Sequence, residues 1–155
     1  MSDSVFNGGW RSLRAAHSGK VLDVTGGSTS AGTHLEQWTQ IANHPNQQFT
    51  FERLDDGYYR IVVRHSGKVL DIEQASMDDG APLIQYDWKG GDNQRFSLDD
   101  VGDGNFVITA KHSGKVLDVA GASKADGAAV TQWGRHGGPN QQWGPVGDPV
   151  RFDDN

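Results

Sequence analysis

The sequence predicts an all-β body closed by pseudo-threefold symmetry, built from three repeats of about 47 residues. Three observations predict it. The heptapeptide His-Ser-Gly-Lys-Val-Leu-Asp occurs at 17–23, 65–71 and 112–118, at offsets of 48 and 47 residues. A second motif follows each copy, at Asn46–Phe49, Asn93–Phe96 and Asn140–Trp143, and between the two lie Gln37-Trp38, Gln85-Tyr86 and Gln132-Trp133. Short β-forming stretches are punctuated by turn residues throughout, with 21 glycines in 155 residues, and no segment holds a long helical period. A repeat this short cannot bury an apolar face alone, so the copies must share one core.

The repeats fall at about 5–52, 53–99 and 100–146, with a tail at 147–155, in one domain spanning 1–155. The middle copy shows the elements in order. Tyr58 to Val63 is rich in β-formers, Ser66-Gly67 turns, and Lys68 to Ile72 alternates. Asp78-Asp79-Gly80 turns again, Leu83 to Trp88 is apolar and aromatic, Gly90-Gly91-Asp92 turns, and Gln94 to Leu98 closes the unit. The alanines between 120 and 129 do not make a helix, because Gly121 and Gly127 interrupt them. Four apolar sets recur in register and form the expected core: Leu13, Ile61 and Ile108; Leu22, Leu70 and Leu117; Leu35, Leu83 and Val130; Phe49, Phe96 and Trp143. Four strands per unit would suit a propeller blade, but propellers need 4–8 blades. Three copies fit a closed body with few free edges better.

Composition removes several function classes. Fourteen Lys and Arg against twenty Asp and Glu give a net charge of -6, which opposes binding to a nucleic-acid backbone. Mean hydropathy is -0.63, and no stretch approaches the roughly 20 apolar residues of a membrane span. With no cysteine, disulfides, thiolate metal sites and cysteine nucleophiles are excluded. The N-terminal Met-Ser-Asp-Ser-Val-Phe lacks a basic and then apolar leader. The expected location is the cytoplasm, or release without a signal peptide; secretion fits if a leader was removed.

An apolar-Leu-Asp-Val motif, a Gln-aromatic about 14 residues on, and then Asn-Gln-Gln-Trp resembles the ricin-type β-trefoil lectins and related carbohydrate-binding modules. The resemblance covers roughly residues 5–146 and repeats three times in register. It implies a β-trefoil and a non-catalytic lectin with up to three sugar sites, multivalent, for glycans of the galactose or N-acetylgalactosamine type. One departure is that many relatives carry a bonded Cys before Leu-Asp, where this chain has Val21, Val69 and Val116.

A sugar offers hydroxyls at its edge and a C–H face on its ring, so its site needs an aromatic platform and fixed polar groups. A carboxylate accepts charge-assisted hydrogen bonds, and an Asn amide both donates and accepts. The resemblance assigns the Leu-Asp carboxylate to two adjacent hydroxyls, the aromatic to stacking, and the Asn to a further bond. The third repeat fits best, with Asp118, Trp133, His136 and Asn140. The second has Asp71, Tyr86, Lys89 and Asn93 at the same spacings. The first has Asp23, Trp38 and Asn46, but one extra residue precedes Asn46 and Ile41 takes the place of His136, so Asn43 or His44 could substitute. On this reading Asp118→Ala removes binding at little cost to stability.

Blander readings compete. The three Asp could fix turns, and the aromatics could be core, although their odd offset from Leu35, Leu83 and Val130 turns them the other way on a strand. Gln47, Gln94 and Gln141 are expected to bond interior backbone. His17, His65 and His112 could converge on a metal, but each precedes Ser-Gly-Lys, an expected exposed turn. Beside them, Ser18, Ser66 and Ser113 lack a nucleophile elbow. Asp55-Asp56, Asp78-Asp79 and Asp99-Asp100 read as solvated turns, and each pocket offers one carboxyl where a glycosidase needs two. No cofactor or metal is expected. The expected partners are glycans or glycoconjugates, with no nucleic acid and no membrane insertion, and the chain is a monomer or weak homodimer. The alternatives are a protein-interaction trefoil and the polysaccharide-binding module of a glycoside hydrolase.

Overall fold

The computed structural model describes residues 9–146; the expected tail at 147–155 and the start of the first repeat lie outside the described residues. Each repeat gives four strands. The first holds β1 (Ser12–Ala15), β2 (Val21–Val24), β3 (Leu35–Trp38) and β4 (Phe49–Arg53). The second holds β5 (Tyr59–Val63), β6 (Val69–Ile72), β7 (Leu83–Tyr86) and β8 (Phe96–Gly102). The third holds β9 (Asn105–Ala110), β10 (Val116–Val119), β11 (Val130–Trp133) and β12 (Trp143–Val146). Short 3-10 turns are the only helical segments among the described residues.

Six strands close on themselves. β1 pairs with β12, β12 with β9, β9 with β8, β8 with β5 and β5 with β4. An Arg11–Phe49 bridge returns from β4 to the foot of β1. The other six strands form the hairpins β2–β3, β6–β7 and β10–β11, which meet through the bridges His34–Ile84, Glu36–Ala129 and Pro82–Thr131. A barrel capped by three mutually bridged hairpins is the β-trefoil that the repeats predict, and closure leaves few edges for foreign strands.

All four recurring apolar sets are buried in one shared core. The largest member, Trp143, still needs a partner for its indole N–H, which donates to the Leu117 carbonyl at 3.3 Å. Val21, Val69 and Val116 fill the interior without any crosslink. Two expectations about acidic pairs change. Asp99 and Asp100 lie inside β8, and the turn is carried instead by Asp103 and Gly104 at positive φ. Asp56 does sit in a turn, but its carboxylate takes Lys111 at 2.9 Å and Arg95 at 3.1 Å, and the Lys111 ammonium is the main reason that it is held down at about 2.

The expected exposed turns at the repeated His-Ser-Gly are half-buried latches between repeats. The Nε2–H of His17, His65 and His112 donates to the carbonyls of Ser123, Ser28 and Ser76, each at 2.7 Å. Ser18, Ser66 and Ser113 donate to the side-chain carbonyls of Gln37, Gln85 and Gln132 at 2.8–2.9 Å. Those buried amides then donate to two carbonyls of the adjoining repeat, Gln37 for example to Ser123 and Ala125 at 2.8 Å. Each imidazole is therefore committed to a different loop, which opposes a shared metal site.

Candidate functional site

Asp23, Asp71 and Asp118 occupy the third position of β2, β6 and β10, and are only 5, 4 and 4 % exposed. Buried carboxylates need donors, and the Asn-Gln motif supplies them. Gln47, Gln94 and Gln141 donate through Nε2 to the three carboxylates at 2.9, 2.8 and 2.9 Å. Asn46, Asn93 and Asn140 add Nδ2 contacts at 3.3, 3.2 and 3.3 Å. The glutamines also bond backbone, as expected: Gln141 donates to the Gly134 carbonyl at 3.0 Å and accepts from the His136 N–H at 2.9 Å. That they grip the aspartates was invisible in the sequence. The structure argues against the expectation that Asp118→Ala spares stability, because two buried amides would lose an acceptor. The Asn amides also donate to the carbonyls of Val24, Ile72 and Val119, so each Asn ties the aspartate to its own strand.

Trp38, Tyr86 and Trp133 end β3, β7 and β11, one residue after a fully buried Gln, so strand alternation turns them outward. They are 37, 38 and 43 % exposed, which makes them platforms and not core. A turn glycine from a neighbouring repeat lies against two of them and lines the cavity of the third. A Cβ at Gly127 would lie 3.8 Å from Trp38, and one at Gly80 would lie 3.8 Å from Trp133, while Gly32 lines the pocket of Tyr86. All three glycines have φ near +90°, which side chains resist. Sequence order assigned each site to one repeat; the structure lines the second and third cavities from two, and sets Gly127 of the third repeat against Trp38.

Every predicted site residue falls in one of three cavities. Asp23, Trp38 and Asn46 line the first, of about 350 Å³. Asp71, Tyr86, Lys89 and Asn93 line the second, of about 390 Å³. Asp118, Trp133, His136 and Asn140 line the third, of about 480 Å³, the largest of the three and the one that the sequence ranks first. These volumes lie at the small end of ligand pockets. In the first repeat the extra residue is absorbed by a left-handed Asn43 at φ 61°, so Asn46 still reaches Asp23. His44 and Ile41 line that cavity, whereas Asn43 does not.

Each cavity has its own electrostatics. Burial pushes the Asp118 carboxyl up, while Gln141, His136 and Asn140 pull it back; His136 Nε2 stands 3.8 Å from Asp118 Oδ2. Burial likewise raises Asp71 against Gln94 and Asn93, and Glu73 adds to the rise. The first cavity corrects the expectation of one carboxyl per pocket, because Glu36 lines it beside Asp23 and is pushed up to about 7, first by burial and then by that neighbour. Glu73 also lines the second cavity. The lip of each cavity carries paired left-handed residues, Gly26-Gly27, Gln74-Ala75 and Gly121-Ala122, and the non-glycine members mark local backbone strain. The arrangement can hold a small ring with vicinal hydroxyls.

Residues 4–86 and 92–152 match the family described as ricin-type β-trefoil lectin domain-like. The fold is similar to the designed threefold-symmetric protein ThreeFoil, at 51 % identity and TM-score 0.86 over 90 % of this chain and 99 % of that one. It is also similar to part of an exo-β-1,3-galactanase from Clostridium thermocellum, at 40 % identity and TM-score 0.85 over 88 % of this chain and 30 % of that one. A segment of 53 residues, 34 % of the chain, is 42 % identical to the clotting factor G alpha subunit of Tachypleus tridentatus, and covers 8 % of that protein. The chain thus spans a small part of these last two relatives. No helix among the described residues is long and apolar enough to cross a membrane.

Proposed function

Since the chain belongs to the ricin-type β-trefoil lectin domain-like family, we propose that it is a non-catalytic carbohydrate-binding domain with three sites for galactose-type sugars. One observation carries this reading. Three times around the pseudo-threefold axis, an outward aromatic lines one cavity with an amide-clamped carboxylate and an Asn. The aromatic takes the C–H face of a sugar, and the carboxylate accepts from its hydroxyls. The likeness to part of a galactan-cleaving enzyme supports the galactose class, and supports a second reading in which the chain serves as the accessory module of a glycoside hydrolase.

A shallow site for one sugar binds weakly, at about millimolar. Three such sites on one rigid body make later contacts intramolecular on a dense glycan surface, and raise avidity by about 10²–10⁴. The domain would then crosslink glycoproteins as a monomer. A glycan array with free-sugar competition tests the class, and Trp38→Ala, Tyr86→Ala and Trp133→Ala test the valency. Stepwise loss of surface avidity supports three sites. Silence on every glycan refutes the carbohydrate reading, and loss of all binding through Trp133→Ala alone refutes the valency.

A further inference from the structure

The first cavity differs from its symmetry mates in the residue that faces its aspartate. Glu36 of β3 stands directly across from Asp23 of β2, where the other hairpins set Ile84 across from Asp71 and Thr131 across from Asp118. Directly opposed residues of an antiparallel pair share a face, with Cβ atoms about 4.5–5.5 Å apart. The two carboxyl groups share one face of the pair and one cavity, and burial together with Asp23 pushes the Glu36 carboxyl up to about 7. Asp126 adds a third negative charge from the third repeat, held against Thr39 by bonds of 2.7 Å to its N–H and 2.9 Å to its hydroxyl. His44 is the other titratable residue lining this cavity, and no lysine or arginine lines it. In the second cavity Lys89 offsets Glu73, and in the third His136 faces Asp118.

We propose that the first cavity takes a 2-amino sugar in its protonated form, with the ammonium between Asp23 and Glu36 and the ring on Trp38, while the other two cavities take neutral sugars. This deepens the carbohydrate reading and rests on it. Two carboxyls this close in a partly buried site resist ionising together without a cation. Near neutral pH Glu36 therefore keeps a proton for much of the time, and as a neutral acid opposite Asp23 it competes with a neutral sugar for that carboxylate. An ammonium brings three donors and a compensating charge. As it enters, the Glu36 carboxylic acid becomes a carboxylate and its proton passes to the buffer. The bonds formed are charge-assisted at both ends, and the indole face attracts the cation further. N-acetylation of the amine removes the charge and with it the preference.

The test uses the full chain, with the indole N–H signals of Trp38 and Trp133 in nitrogen-15 NMR reporting the first and third cavities separately. Galactosamine, N-acetylgalactosamine and galactose are titrated at pH 6.5 and low salt. Galactosamine should bind at Trp38 about five- to tenfold more tightly than galactose, with no such preference at Trp133. The preference should vanish in Glu36→Gln and in Glu36→Ile, the residue type of the second repeat, and calorimetry in buffers of different ionisation heat should record proton release. Equal affinity for the two sugars at Trp38, or a preference that survives Glu36→Gln in a folded variant, overturns the proposal. So does lysine amide shifting Trp38 as strongly as galactosamine, which would mean that charge alone is read. Galactose binding at Trp133 with no amine preference at Trp38 sinks this inference alone; no response to any sugar at either indole sinks the carbohydrate reading with it.

Discussion

Replacing Asp118 by Ala separates what holds the third site together from what binds in it. The carboxylate accepts from Gln141 Nε2 at 2.9 Å and from Asn140 Nδ2 at 3.3 Å, both buried. Each amide keeps its other bond, to Gly134 at 3.0 Å and to Val119 at 3.1 Å, so the variant orphans one N–H on each. A buried donor left without an acceptor costs about 1–3 kcal/mol. The second contact is long, and removing a carboxylate that burial disfavours gives some of this back. The net loss is about 2 kcal/mol, or about 4–8 °C in melting temperature for a domain of this size. Trp133→Ala, by contrast, removes a side chain that is 43 % exposed, and should stay within about 0.5 kcal/mol. Thermal melts by circular dichroism and sugar calorimetry on the same samples read both quantities. Asp118→Ala should lose stability and binding together, whereas Trp133→Ala should lose third-site binding alone. An Asp118→Ala variant that melts with the parent would refute the amide clamp, and an equal drop in Trp133→Ala would make that indole core.

Three further outcomes follow from the same geometry. Burial raises Asp71 and Asp118 above the ordinary 3.8, so protonation and loss of sugar binding should be half complete above pH 3.8 in NMR titrations; a midpoint at or below that value contradicts the buried-carboxylate floor. Glu36 titrates near 7 in the fold against an ordinary 4.5, so the folded state binds its proton more tightly; the stability it adds is full below pH 4.5 and is lost as pH rises through about 7. Urea melts from pH 4.5 to 7.5 should show this decline, and Glu36→Gln should flatten it. Gly127→Ala, at φ +89°, should strain the turn behind Trp38 by about 1–3 kcal/mol. It should weaken the first site from within the third repeat, and unchanged binding at Trp38 would show that the neighbouring turn does not shape the pocket.

Much of the site was legible because the repeats act as internal controls. Asp, aromatic and Asn recur at nearly fixed spacing, and strand alternation alone turns Trp38, Tyr86 and Trp133 away from the core. Glu36 escaped notice for the converse reason: it breaks the pattern, at a position where Ile84 and Thr131 agree on nothing. The Gln of the second motif was legible as an interior residue, but its grip on the Leu-Asp carboxylate spans more than 20 residues of chain, and spacing carries no register for such a bond.

The sequence by itself determined the all-β class, the threefold repetition, the four core sets and which side chains turn away from the core, because period-2 alternation and turn glycines are local properties. The tertiary structure alone decided how the copies are joined. His17, His65 and His112 read as turn residues until each imidazole is seen latching an adjoining repeat. Gly80 and Gly127 read as turns until each is found against an aromatic of another copy, and Gly32 until it is found lining the cavity of Tyr86. Closure of the barrel brings these groups together, and contacts made by closure depend on the mutual packing of all three copies and not on the order of residues within any one of them.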